Sequence, residues 1–249
     1  MFIDTHCHLS KEDYDDIDQV IKDNRNAGIS KIIISGCTKD TIIESLELSE
    51  KYDDVYVTIG FHPSEAKITN ELDLEFLDKA LDNPKVVGVG EIGLDYHYGK
   101  EDINLQKELF DKQLKLAEKH NLPVVIHSRD ATLDTINILK KYSLKGDIHC
   151  FSGSVETAKI YISMGYYLGI GGVVTFKNSN LYKVVEEVGL DHILLETDSP
   201  YLAPVPYRGT KNSSKNIPII AEYIANVLNC SLEDVSNCTN SNVSNLFDL

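Results

Sequence analysis

Residues 85–127 read KVVGVGEIGLDYHYGKEDINLQKELFDKQLKLAEKHNLPVVIH, and this stretch decides the fold. It opens on a short run of small and β-branched residues ending at Glu91, and closes on Pro123-Val124-Val125-Ile126 ending at His127. Both runs have the length and composition of buried strands. Between them, over 104–120, Leu105, Leu109, Phe110, Leu114 and Leu116 recur at helical spacing and fall largely on one side. The stretch reads as strand, helix, strand, and each strand ends on a side chain able to bind a cation.

The same unit recurs outward in both directions. Strand-like runs occur at 1–8, 31–36, 55–62, 85–91, 123–127, 147–151, 166–171 and 192–198, with longer helical segments between them. Eight strands alternating with eight helices in 249 residues predict an α/β chain folded as a single-domain TIM-like (β/α)8 barrel over residues 1–249. A doubly wound open sheet shares that alternation and is the alternative on periodicity alone. Ser231 followed by Asp234 predicts a capping box opening the last helix. No low-complexity tract or linker interrupts the sequence.

Composition narrows the function classes. Apolar residues make up 42% and charged residues 25%, ordinary for a globular chain with a sizeable core. The 24 basic and 39 acidic residues give a formal charge of −15, which argues against salt-driven binding along a nucleic-acid backbone or an anionic membrane. It is compatible with an enzyme that grips one or two phosphates through bound cations. No apolar run approaches a bilayer-spanning length. The opening Met1-Phe2-Ile3-Asp4 enters a strand without the features of a secretory signal. Five cysteines, at 7, 37, 150, 230 and 238, form no CxxC and cannot all pair, so reduced thiols and a cytoplasmic location are expected. A monomer that does not engage membranes is expected.

The polar residues that break the core pattern sit at strand ends. His6 and His8 are two apart in a strand, so both imidazoles share a face. Taken alone, HxH is short and common. Glu91, His127, His149 and Asp198 end four further runs, and Glu196 shares the face of Asp198 by the same rule. Taken singly, each is as readily a structural residue as a ligand. In a barrel, however, His6, His8, Glu91, His127, His149 and Asp198 converge on one cavity at the C-terminal ends of the strands. Six donors exceed one tetrahedral zinc and suit two divalent ions sharing a carboxylate. Imidazole-rich ligation favours Zn, Mn, Fe or Co over Mg. Asp198, or else Glu196, is the expected acceptor of a proton from the attacking water. His97, His120 and His192 are expected to be ordinary surface or helix-end residues, and Cys150 a core residue.

Six motifs carry a family resemblance: Ile3-Asp4-Thr5-His6-Cys7-His8, Gly60-Phe61-His62-Pro63, Gly90-Glu91-Ile92-Gly93-Leu94-Asp95-Tyr96, His127-Ser128-Arg129-Asp130-Ala131, His149-Cys150-Phe151-Ser152-Gly153 and Glu196-Thr197-Asp198-Ser199-Pro200-Tyr201-Leu202. In this order they closely resemble the TatD family of metal-dependent deoxyribonucleases and related hydrolases, within the amidohydrolase superfamily. The resemblance implies the TIM-like barrel and a ligand set. One ion takes His6, His8, Glu91 and Asp198, and the other takes Glu91, His127 and His149. It places His62 at the substrate phosphate or beside the ligands, and it allows Mg-supported turnover. Arg129 is a candidate for holding a phosphate or for a structural ion pair, and Tyr96 for lining or covering the pocket. The implied activity is phosphodiester hydrolysis, as a 3′–5′ exonuclease on single-stranded DNA with RNA also accepted. The rival is ester or amide hydrolysis, such as deacylation of D-aminoacyl-tRNA. The chain departs from the family in one loop, where Arg208-Gly209-Thr210-Lys211-Asn212-Ser213-Ser214 stands in place of the usual Arg-Gly-Lys-Arg-Asn-Glu-Pro.

Overall fold

The computed structural model describes residues 1–97, 99 and 101–249. Its strands are β1 (Phe2–Cys7), β2 (Ile29–Gly36), β3 (Val55–Ile59), β4 (Val86–Asp95), β5 (Val124–Arg129), β6 (Gly146–Ile148), β7 (Tyr166–Ile170) and β8 (Ile193–Leu195). They occupy one sheet in sequential order. The helices α1 (Ile17–Asn26), α2 (Lys39–Lys51), α3 (Glu71–Ala80), α4 (Ile103–His120), α5 (Thr132–Leu139), α6 (Val155–Ser163) and α7 (Leu181–Val188) each fall between successive strands, and α8 (Ile217–Leu228) and α9 (Leu232–Phe247) follow β8. Order and alternation are those of the (β/α)8 barrel. No helix among the described residues is long and apolar enough to cross a membrane.

The chain divides into two compact units. The first comprises Met1–Ile34 with His149–Leu249. In it β1 is buried along its whole length and pairs in parallel with β2, from Phe2 opposite Ile29 to Cys7 opposite Ile34. β7 pairs with β8, Leu168 opposite Ile193 and Ile170 opposite Leu195. Helix α9 opens at the expected capping box: the Asp234 amide donates to Ser231 Oγ at 3.0 Å, and Asp234 Oδ2 accepts the Ser231 amide at 2.9 Å. Its inward face ties it to the start of β8, where Asn242 Nδ2 donates to the carbonyls of Leu190 and Ile193 at 2.8 Å each.

The second unit is Ser35–Ile148. Here β4 runs four residues beyond the end read from sequence, so Glu91 lies inside the strand and Asp95 closes it. Pairing with β5 continues from Ile92 opposite Ile126 to Asp95 opposite Arg129. Gly93 permits that continuation: its φ is +146°, and a Cβ there would overlap the His127 carbonyl. Helix α4 buries Leu109, Phe110 and Leu114 as expected, but Leu105 is exposed. Two glutamines share the buried face instead. Gln106 accepts the Asp95 amide and donates to the Asp95 carbonyl, both at 2.9 Å. Gln113 does the same for Phe61, at 2.6 and 2.9 Å. Each amide satisfies a backbone donor and acceptor that burial would otherwise leave costly.

Candidate metal centre

In the first unit the donors stand where strands stop. His6 is fully buried on β1, and His8 follows its last residue. The His6 ring stacks on His149, centroids 4.0 Å apart and planes 20° apart, while His8 meets it edge-on at 5.1 Å. Strands β6 and β8 end sooner than the sequence suggested, at Ile148 and Leu195, so His149, Glu196 and Asp198 ride on the turns that follow. Asp198 takes a left-handed backbone, φ +51°, a conformation that Asp enters more readily than most residues. Its Oδ1 lies 3.4 Å from His8 Nε2 and 3.8 Å from His6 Nε2. One donor atom from each of His6, His149 and Asp198 falls within 4.8 Å of the others, a separation one cation spans.

Two residues that sequence reading passed over hold Asp198 there. Asp4, fully buried, accepts from the Thr197 amide at 3.0 Å and from Thr197 Oγ1 at 2.6 Å. Burial pushes its carboxyl up to about 6, against the donors that favour the charged form. Asn212 Nδ2 donates to the carbonyls of Thr197 at 2.9 Å and Tyr201 at 2.8 Å, which bracket Asp198. Asn212 lies in the loop that departs from the family motif. Beside it Ser213 Oγ donates to Asn24 Oδ1 at 2.8 Å. The signal for Asp4 was present, since 4, 6 and 8 alternate in one strand. Nothing in the sequence marked Asn212 as a buried amide.

Glu196 is fully buried, accepts the Cys150 amide at 2.7 Å, and lies 3.9 Å from His149 Nδ1. Cys150 is partly buried with φ +46°, a costly conformation for a residue with a Cβ, and the Glu196 bond braces it. Gly169 makes room, because a Cβ there would overlap Glu196 Oε2. Glu196 therefore supports the turn that presents His149.

In the second unit Glu91 Oε1 lies 2.6 Å from His127 Nδ1, and Asp95 Oδ2 lies 3.2 Å from His127 Nε2. Cys37 Sγ donates to Glu91 Oε2 at 3.4 Å. Ligand atoms of His62, Asp95 and His127 also fall within 4.8 Å of one another. His62 lies three residues past β3 and caps the turn Pro63–Lys67, its Nδ1 accepting the Ser64 amide at 3.1 Å. That bond makes Nδ1 the acceptor, so in the neutral ring the proton sits on Nε2, 3.9 Å from Glu91 Oε1. A cavity of about 520 Å³ opens on His62, Asp95 and Lys67.

Burial lowers the His127 pKa, but hydrogen bonds to Asp95 and Glu91 outweigh it and hold the imidazole at about 9. A basic group raised on folding gives stability that is complete below the ordinary value of 6.5 and is lost as pH climbs through about 9. Asp95, held low by His127 despite burial, and Asp4, raised to about 6, act at more acid pH. Chelated protein is therefore expected to lose denaturant resistance between pH 6.5 and 9. Metal-loaded protein should show no such fall, since a ligating imidazole has already given up its proton. Urea midpoints across that range, with and without chelator, check this.

Of the remaining expected site residues, Arg129 adds its charge to those that hold Asp95 low, while Tyr96 is turned to other partners. Arg129 is the exposed last residue of β5. The Tyr96 hydroxyl is committed to Asp134 at 2.8 Å, where Lys107 also pairs at 2.7 Å. His97 lies exposed 3.1 Å from Asp130, and His120 ends α4 at 2.7 Å from Asp78. The His192 ring lies 6.0 Å from that of Tyr167. None of the five cysteines is in a disulfide.

Imidazole and carboxylate donors at strand ends of a sequential eight-stranded sheet define a barrel hydrolase that works through metal ions. Comparison with known proteins specifies which kind. The family model described as TatD related DNase matches residues 3–248. The metal-dependent hydrolase YabD of Bacillus subtilis is 41% identical over 252 residues, covering 99% of each chain. The crystal structure of YjjV, a TatD homologue from Escherichia coli, superposes with TM-score 0.92 at 30% identity, over 100% of this chain and 98% of that one. A TatD family hydrolase from Entamoeba histolytica superposes with TM-score 0.87 at 25% identity, over 99% of this chain and 97% of that one. The chain belongs to the TatD family and is a metal-dependent hydrolase with the TIM-barrel fold.

Proposed function

We propose that this hydrolase cleaves phosphodiester bonds at the end of a single nucleic-acid strand, removing nucleotides 3′–5′ from single-stranded DNA and accepting RNA. The observation that carries the reading is His62, whose Nε2 proton is directed at the donor cluster by the Ser64 bond and suits a phosphoryl oxygen. The donor sets fit divalent ions: nitrogen and oxygen ligands lie within 4.8 Å of one another in each unit, and borderline metals such as Zn or Mn prefer that mixture. Two ions is the proposed number, held by His6, His8, Glu91, His127, His149 and Asp198 as the motif order implies. When bound, such ions neutralise phosphate charge and lower the pKa of a water. Asp198, 15% exposed, accepts the proton of that water, while Glu196 stays out of reach of solvent. Arg129 and the edge of the cavity beside Lys67 receive the nucleotide. A formal charge of −15 repels a long polyanion elsewhere, which favours entry by one strand end. The same charge and the five unbridged thiols fit a monomer working in the cytoplasm.

An end-labelled oligonucleotide decides the matter. Metal-loaded protein is expected to shorten it stepwise from one end, and chelation to stop the reaction. Immediate internal fragments, or equal cleavage of circular single strands, would overturn the requirement for an end. Release of the amino acid from D-aminoacyl-tRNA with no loss of nucleotides would overturn the nuclease reading in favour of ester hydrolysis.

A further inference from the structure

Residues 199–216 contain Arg208, Lys211 and Lys215 and no acidic residue, in a chain whose formal charge is −15. The same segment leaves large apolar side chains in water: Tyr201 is 58% exposed, Tyr207 49% and Val205 46%. The backbone beneath them is firmly held. Asn212 bonds the carbonyls of Pro200 and Tyr201 at 2.9 and 2.8 Å, and Val205 donates to Thr175 Oγ1 at 2.9 Å. Tyr207 and Thr210 close successive turns, donating to Pro204 and Tyr207 at 2.7 and 3.0 Å. The Arg208 guanidinium lies 4.4 Å over the Phe176 ring. An anchored loop that still exposes aromatic rings is not explained by packing of the core. The platform also adjoins the metal donors of its own unit, since the Tyr201 ring is 6.3 Å from that of His8.

We propose that this loop is a base-stacking platform for single-stranded nucleic acid. Tyr201 takes the base nearest the scissile bond and Tyr207 one further along the strand, with the charge of Arg208 facing the phosphates, while Lys211 is held by the Asp13 carbonyl and the Tyr14 ring. Ring faces stack on any base, so the platform grips a strand without reading its sequence. Unpaired bases are needed for this, so the platform favours single strands over duplex. The inference rests on the reading of the enzyme as a nuclease of single strands.

The test is binding of a phosphorothioate oligonucleotide carrying 2-aminopurine next to its 3′ end, by metal-loaded protein. Fluorescence quenching reports stacking, and anisotropy reports Kd. Wild type is expected to quench the probe. Tyr201→Leu is expected to lose the quench and bind about tenfold more weakly, while Tyr201→Phe keeps both. An abasic site at the probe position should weaken wild-type binding by a similar factor and weaken Tyr201→Leu no further. Tyr207→Leu should weaken binding by about the same factor but leave that quench in place. Wild-type affinity and quench in both leucine variants would overturn the platform, as would equal losses on intact and abasic strands. Hydrolysis of bis(p-nitrophenyl) phosphate by wild type without strand binding would also overturn it, leaving the phosphodiesterase reading intact. Quenching without any phosphodiester hydrolysis would uphold the platform and remove the nuclease reading.

Discussion

Asp198→Asn is expected to lower kcat on single-stranded DNA by about 10³-fold, within the range for loss of a general base. The carboxylate is held 3.4 Å from His8 and 3.8 Å from His6 at a partly open position, where a water can reach its second oxygen. Asparagine keeps the shape and the left-handed backbone but has no basic oxygen. The Asp4 and Asn212 bonds to the flanking peptide groups do not involve the Asp198 side chain, so the fold should survive. Glu196→Gln provides the contrast. Its oxygen still accepts the Cys150 amide, and the turn carrying His149 stays in place, so kcat should fall by less than about tenfold. Single-turnover rates at saturating metal, with circular dichroism on each variant, measure the difference. A larger loss in Glu196→Gln than in Asp198→Asn would reverse the two roles.

Glu91→Gln should act on metal content before rate. Glu91 is 3% exposed, faces His127 at 2.6 Å and Cys37 at 3.4 Å, and is the carboxylate proposed to serve both ions. Glutamine is nearly isosteric, so packing should change little, yet it removes the charge that offsets a cation in a buried site. Bound metal is expected to fall from the proposed two ions per chain to one or fewer after gel filtration, with turnover lost in proportion. His127 also loses one of the two carboxylates that raise its pKa, so the pH dependence of the chelated protein between 6.5 and 9 should shrink. Elemental analysis and urea titration read these two effects separately. Full metal content in a folded Glu91→Gln sample would remove Glu91 from the ligand set.

Hydrophobic period carries the fold, and strand-end polarity picks out the candidate donors, because both repeat. The β-α alternation is visible in β1, β5 and α4, and His6 and His8 follow from two-residue spacing alone. Sequence pattern puts Glu91 at a strand end because a carboxylate normally ends an apolar run. The strand continues because Gly93 lets its backbone pass close to His127, and that close approach brings Asp95 onto the face of Glu91. An alternation count carried through Gly93 would have found Asp95. Period turns Leu105 inward, yet Gln106 takes the buried place by bonding the peptide of Asp95. Patterns that sort residues by polarity do not register a polar side chain whose partner is a backbone group far along the chain. Asn212 was missed for the same reason, since its partners lie at Thr197 and Tyr201.

Three of the side chains that grip the backbone around the donors, Gln106, Gln113 and Asn212, are primary amides, beside the carboxylates of Asp4 and Glu196. An amide carries no net charge and does not titrate in the working range of an enzyme, so its bonds are indifferent to protonation of the histidines beside it. The same indifference extends to the arrival of divalent charge. Loading or stripping the cations changes the field at every carboxylate in the cluster but leaves these bonds with the same number of donors and acceptors. That part of the frame is electrically silent, so at Asp95, Phe61 and Tyr201 an empty cluster and a filled one call for the same backbone.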